Sequence, residues 1–438
     1  AATAGESRCL DAFIIALSQA CKGGEKRWYA STLELQLASL EFCRACRNIP
    51  TLHVKAKFES LSSLFYRRKP RTKPDTHIAK KIHITSRVPV VRALHLTWDF
   101  PMEDLMQSAE AELWTRLDRL CLRGPVTVSN LKSVIWPLGL KQLSFVGNFN
   151  QAIDGVAWPA NLQQLSFGSQ FSQPIAGIAW PASLQQQLSF GGDQLNPDQF
   201  NQPVVRALWP ASLQQLSFGN RFNQPIAGLA WPMSLQRLSF GNAFNQRITG
   251  IVWPASLQQL SFGGNQFNQP IVGVVWPASL LQLSFGNSFN QPIAGLAWPV
   301  SLQRLSFGNS FNQPIAGIVW PASLQQLSFG NIFNQPITEV IWPSSLQQLS
   351  FGHRFNQPIV DVVWPALLQK LSFRFGFNQP ISGVVWPASM QQLPFGDQFN
   401  QPIAEVAWPM SLQRLPFGNR FNQPIFGVVW PPSLQQLS

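Results

Sequence analysis

The chain has 438 residues, 45% of them hydrophobic and only 12% charged, with a formal net charge of +12 at pH 7. Its mean hydropathy is +0.00, and no apolar run approaches the roughly 18 residues a spanning helix needs, so no membrane role is expected. The charge is uneven: residues 1–136 carry 21 Lys and Arg against 13 Asp and Glu, a net of +8, whereas residues 137–438 carry 11 against 7, a net of +4 over more than twice the length.

The first 66 residues read as a mainly helical N-terminal region. Within residues 8–45, Leu10, Phe13, Ile14 and Leu17 fall on one helical face, and Gly23-Gly24 breaks the segment. Cys43-x-x-Cys46 has His53 nearby but no fourth ligand, so neither a metal site nor a cofactor is expected. No βαβ pattern surrounds it, which removes a thioredoxin-like reading.

Residues 67–85 form a basic linker with Arg67, Arg68, Lys69, Arg71, Lys73, Lys80 and Lys81. Such a run reads as a solvated linker, or as a nuclear-localisation or nucleic-acid segment. Only Phe65 and Tyr66 accompany it, so nucleic acid is the disfavoured partner. All five cysteines lie before residue 122, and no Asn-x-Ser/Thr sequon or signal-type N-terminus is present. These features predict a reducing compartment, cytoplasmic or nuclear.

Residues 86–135 carry either degenerate capping repeats or a helix. Val91-x-x-Leu94-x-Leu96 and Leu117-x-x-Leu120-x-Leu122 resemble a strand pattern repeated at Leu140-x-x-Leu143-x-Phe145. Leu105, Leu113, Leu117 and Leu120 equally fit one amphipathic helix over Met102–Arg123. A helix at 102–113 leading into a strand at 117–122 reconciles the two.

From residue 136 to residue 438 the chain is an array. Fourteen Trp-Pro pairs run from Trp136 to Trp430, and eleven of the thirteen spacings are 22 residues. The spacing from Trp253 to Trp276 is 23, and that from Trp180 to Trp209 is 29. The larger insertions follow the LSFG segment, as expected of a loop on one face of a solenoid. Leu216 and Phe218 alternate with Ser217, the period of a strand with one buried face. Gly219-Asn220 suits a bend, and Pro225 and Pro232 preclude a long helix.

Each unit is thus expected to be a strand, a bend, an irregular return arm and a second bend. Stacking would then build a parallel sheet and columns of Leu, Phe, Ile and Trp. The Asn at positions such as Asn223 and Asn245 would form a ladder at the bend, weakened where Ser172 replaces it. Pro394 and Pro416 stand in for the strand Ser and would thin the sheet there. The array stops without an evident polar cap, ending inside a repeat at Ser438, as an incomplete chain would.

The motif L-x-x-L-x-F-G-x-x-F-N-x-P-I stands as LQQLSFGNRFNQPI at Leu213–Ile226 and as LQRLSFGNSFNQPI at Leu302–Ile315. It resembles the FNIP repeat, a relative of the leucine-rich repeat, over about residues 136–438. The resemblance implies a leucine-rich-repeat-like β-solenoid of about 22-residue coils, with one parallel strand per coil on the concave side. It implies no enzymatic activity. Some relatives attach an F-box or a kinase domain, but neither motif is legible in this chain.

The repeats hold few groups for acid–base chemistry, and no phosphate loop or nucleophile motif. Glu339, Asp361 and Glu405 share one coil position and could form an acidic stripe, with drift on a solvated edge as the blander reading. Variation in charge concentrates at two other positions. One carries Arg237, Arg304, Lys370 and Arg414, the other Arg221, Arg354 and Arg420. These seven are the candidate partner-binding residues and suit an acidic protein partner. The expected function is a non-enzymatic protein-interaction scaffold acting through the strand face. The alternatives are a nucleic-acid-associated protein acting through residues 67–81 and an adaptor for ubiquitination.

Overall fold

The computed structural model describes residues 117–123, 131–191 and 198–437, together with the backbone of two short strands at 53–57 and 93–97. The chain divides into two compact units, residues 1–129 with 134–143 and residues 130–133 with 144–438. In the first unit, strands β1 (His53–Lys57), β2 (Ala93–Thr97) and β3 (Arg119–Arg123) pair in parallel and in chain order. The register sets Leu94 opposite Leu120 and Leu96 opposite Leu122. Of the two readings of Met102–Arg123, a single helix fails at its C-terminal end, which is strand. The Leu120-x-Leu122 alternation with a paired neighbour prevails there over the helical spacing of Leu113, Leu117 and Leu120. Residues 102–116 lie outside the described residues, as do 8–45, Cys43, Cys46 and the basic segment 67–81. Within 1–66 the described residues are His53–Lys57, a strand where a helical region is expected.

The strand β4 (Gln142–Val146) leads in sequence into the second unit. There β5 (Gln164–Phe167), β6 (Gln187–Phe190), β7 (Gln215–Phe218), β8 (Arg237–Phe240) and β9 (Gln259–Phe262) are followed by shorter strands. These are β10 (Gln282–Ser284), β11 (Arg304–Ser306), β12 (Gln326–Ser328), β13 (Gln348–Ser350) and β14 (Lys370–Ser372). All are parallel, each paired with its sequence neighbours, and like positions face like: Leu283 pairs with Leu305 and Ser284 with Ser306. Leu and Phe point inward and Gln and Ser outward, as the period of a strand requires.

Three tight turns bend each strand back to the next. Pro210 to Leu213 closes on a 3.1 Å Leu213 N–H bond to the Pro210 carbonyl, and Gly219 to Phe222 closes at 3.2 Å. Ile226 to Leu229 closes at 3.4 Å, with Gly228 at φ 74°. Pro210 opens the first of these turns and supplies its acceptor carbonyl, and glycine supplies the left-handed residue of the third. Between coils the expected Asn ladder is present. The Asn245 N–H donates to Oδ1 of Asn223 at 2.9 Å, and the Gln246 amide donates to the Asn223 carbonyl at 2.9 Å. At Ser172 the side chain does something else: its hydroxyl donates to the Gln199 carbonyl at 3.1 Å.

The core is a set of one-dimensional stacks. Phe218 and Phe222 stack at 4.1 Å within a coil, and Phe218 meets Phe240 at 5.5 Å between coils. Stacked Trp rings sit farther apart, 6.1 Å for Trp231–Trp253 and 6.4 Å for Trp342–Trp364. Backbones of neighbouring strands are only about 4.8 Å apart. The second Phe column keeps the same separation as the Trp column, Phe222 to Phe244 at 6.1 Å, as offset-stacked rings on one coil repeat do.

The sheet breaks where the prolines predict. The continuous run ends at β14; Gln392 makes only single bridges, to Lys370 and Arg414. The strands β15 (Arg414–Leu415) and β16 (Gln436–Leu437) form a separate pair. Pro394 and Pro416 still accept, from Phe373 and Phe395 at 3.0 Å each, but have no N–H to donate. Amides around 390–420 are expected to exchange faster than those around 280–330. Changing both prolines to Ser should slow them, by up to the ~1 kcal/mol of each restored bond. Equal protection of the two regions would count against this account.

Candidate groove on the strand face

The outward strand residues of the second unit line one long open groove of about 690 Å³, running from Gln187 to Arg374. Its walls are rows, because every coil contributes the same two outward positions. The first row is Gln, interrupted by Arg237, Arg304 and Lys370. The second row is Ser, whose hydroxyls bond along the groove, as from Ser284 to Ser261 at 2.8 Å and from Ser328 to Ser306 at 2.9 Å. No Asp or Glu lines the groove, and Arg374 adds a fourth cation at one end. Among the described residues none of these four cations makes an ion pair within the chain. The groove is thus positive, polar and uncompensated.

The seven candidate residues divide accordingly. Arg237, Arg304 and Lys370 are brought into one row of the groove. Arg414 holds the same register position, through the bridge from Gln392, but belongs to β15 and lies beyond the groove. Arg221, Arg354 and Arg420 sit exposed at the bend after the strand and do not line it. The two sets belong to separate rows, because the bend carries the chain off the sheet face between them.

Arg374 was not among the candidates, although the sequence signals it. The residue after the strand Phe is glycine at Gly286, Gly308, Gly330, Gly352 and Gly396, and Phe373-Arg374-Phe375 breaks that column. The glycines are there for space: a Cβ at Gly308 would lie 1.8 Å from the Gly286 carbonyl oxygen, and one at Gly330 equally close to that of Gly308. An arginine in this column is a local departure from the packing rule of the array.

The acidic positions lie elsewhere. Glu339, Asp361 and Glu405 occupy the turn at which Gly295 and Gly317 have φ 71°. They keep that turn's bond, at 3.2 Å from Val340 to Ile337 and 3.3 Å from Val362 to Ile359. All three are exposed and outside the groove lining. Among the described residues no group of three or more His, Cys, Asp or Glu could hold a metal. Asp154 pairs with Lys132 at 2.9 Å on the exposed surface, and that hydrogen bond, with the Lys132 charge, holds its carboxyl below the usual value. Asp198 is buried and structural: its carboxylate accepts from the Asn220 N–H at 2.9 Å, beside the 192–197 insertion. Among the described residues no helix is long and apolar enough to cross a membrane.

The comparisons agree with this architecture. The FNIP Repeat model matches residues 200–242, 222–265, 289–331 and 333–375. No curated protein matches the chain. Among solved structures, CroV588, described as a novel circular LRR protein, is 34% identical with a TM-score of 0.60. That match covers 80% of this chain and 59% of CroV588, so the chain spans under two thirds of that protein's length. An internalin from Listeria monocytogenes is 14% identical, covering 68% of this chain and 80% of its own, at TM-score 0.41. A chain of the Drosophila Toll–Spatzle complex is 13% identical, covering 80% and 64%, at TM-score 0.42. The 22-residue coils, the parallel strand in each and the matched motif lead to one conclusion: residues 200–375 of this chain are FNIP repeats, folded as a leucine-rich-repeat-like parallel β-solenoid.

Proposed function

We propose that the protein is a non-enzymatic interaction scaffold that binds a protein partner of acidic character along the strand face. The observation that carries this reading is the groove itself, about 690 Å³ lined by amides, hydroxyls and four cations without one carboxylate. Amide and hydroxyl rows can bond to a peptide backbone of any sequence, and uncompensated cations select against basic partners. The lining offers no pair of groups suited to proton transfer and no histidine. FNIP and leucine-rich repeats are typically non-catalytic, and the fold is one associated with protein binding in general.

The test is selection of peptides from a random displayed library against the full chain. Enriched peptides are expected to be acidic and to bind more weakly as salt rises, since exposed charges are screened within about 8 Å at physiological ionic strength. They should lose binding to the variant Arg237→Gln/Arg304→Gln/Lys370→Gln/Arg374→Gln and keep it for Arg221→Gln/Arg420→Gln. Peptides that bind the quadruple variant as well as the wild type would overturn the assignment of the site.

A further inference from the structure

The cations of the groove are not scattered. In strand order from β8, Arg237 is followed by Gln259 and Gln282, Arg304 by Gln326 and Gln348, and then comes Lys370. The charge therefore recurs at every third coil, in one register column of the sheet. Three strand spacings of about 4.8 Å make about 14 Å. A polypeptide laid along the groove in extended form advances about 3.4 Å per residue, so four residues also make about 14 Å. Side chains of an extended chain alternate faces with a period of two, so residues four apart point the same way. A helix needs about ten residues to cover that distance at 1.5 Å each, which leaves the second side chain about a quarter turn off the groove face.

We propose, building on the scaffold reading above, that the groove takes a single extended acidic segment crossing the strands, with carboxylates at residues i, i+4 and i+8. The three carboxylates meet Arg237, Arg304 and Lys370 in turn. Arg374 lies in the same coil as Lys370 and on the same outward side, so the third carboxylate meets two cations where the first two meet one. This places the strongest electrostatic anchor of the segment at the β14 end of the groove. Between anchors, the Gln amides of two intervening coils and the continuous Ser row face the peptide backbone. These groups both donate and accept, which suits a backbone whose N–H and C=O groups are otherwise unpaired. The spacing fits a peptide better than a nucleic acid: no aromatic side chain lines the groove, so bases would find no stacking surface.

The experiment compares labelled peptides of one composition, three Glu in a Ser/Thr/Gly background, by fluorescence anisotropy with the full chain at low salt. One has Glu at positions 1, 5 and 9; its isomer has them at 1, 4 and 7. The first is expected to bind about fivefold more tightly, the worth of about one exposed ion pair. Arg304→Gln/Gln326→Arg moves the central cation by one coil and leaves the net charge unchanged, and it should abolish the preference. Arg374→Gln should weaken a 1, 5, 9 peptide while preserving its preference over the isomer.

The outcomes separate the two readings. If both isomers bind equally and both are lost in the quadruple variant, the groove binds acidic segments but the four-residue register is wrong. If neither peptide binds the wild-type groove, the scaffold reading fails with it. An oligothymidine of equal charge binding more tightly than either peptide would overturn the proposal in favour of single-stranded nucleic acid. Circular dichroism on each variant checks folding, which these outward-facing positions should leave intact.

Discussion

Replacing Trp298 by Ala should destabilise the array by about 3–5 kcal/mol, whereas replacing it by Phe should cost roughly 1–2 kcal/mol. Trp298 is 8% exposed and stacks on Trp320 at 6.3 Å with the rings 16° from parallel. Ala there would leave a cavity in a column that cannot collapse, because the coils above and below are held apart by their own rings. The milder loss with Phe follows from the ring it keeps, which fills most of the space the indole occupies in the column. Stability in a solenoid is approximately a sum of coil and nearest-neighbour terms, so the loss should spread to coils on either side first. Urea melts followed by circular dichroism measure it. Equal losses for Ala and Phe would show that ring volume at this position does not carry the stability of the column.

The second large effect concerns the glycine column. Gly330→Ala should cost about 2–3 kcal/mol by overpacking, because the atom met by the new Cβ is the Gly308 carbonyl oxygen, at 1.8 Å. A backbone carbonyl in a hydrogen-bonded stack cannot swing aside as a long side chain would. The converse substitution is more informative. Arg374→Gly restores the column and should stabilise the fold by up to about 1 kcal/mol, as consensus changes commonly do. The same change removes one of four cations from the groove and should weaken acidic peptides. A residue that lowers stability and raises affinity is the pattern expected where a site has been imposed on a scaffold. Unchanged stability in Arg374→Gly would indicate that the coil has adjusted around the arginine, and the binding arm of the test would stand alone.

The repeat made most of the architecture readable in advance. A period of 22, two prolines per unit and the Leu-x-Phe alternation allow little besides a stack of short parallel strands, and the Asn ladder followed from one recurring amide beside a bend. Pro394 and Pro416 marked where the sheet would fail, since a missing N–H is a property of the residue and needs no tertiary context. Residues 86–135 were different. Leu113, Leu117, Leu120 and Leu122 satisfy a helical and a strand period together, and only the pairing of Leu120 with Leu94 and of Leu122 with Leu96 decides for the strand.

The groove shows the same division. Sequence alone could mark Arg237, Arg304, Lys370 and Arg414 as one repeat position, and Arg221, Arg354 and Arg420 as another, because identity of position is counted along the chain. Which of them share one groove depends on how the coils stack their outward strand positions into rows and on where the sheet ends, and those are relations between coils. Arg374 makes the point most sharply. In the sequence it is an error in a glycine column; in the folded unit, strand alternation carries it to the same face as Lys370 and adds it to the groove. The chain by itself determined the coil and its period, because both follow from local backbone chemistry. The stacking of coils decided which charges meet, because that is set by contacts between residues 22, 44 or 66 positions apart.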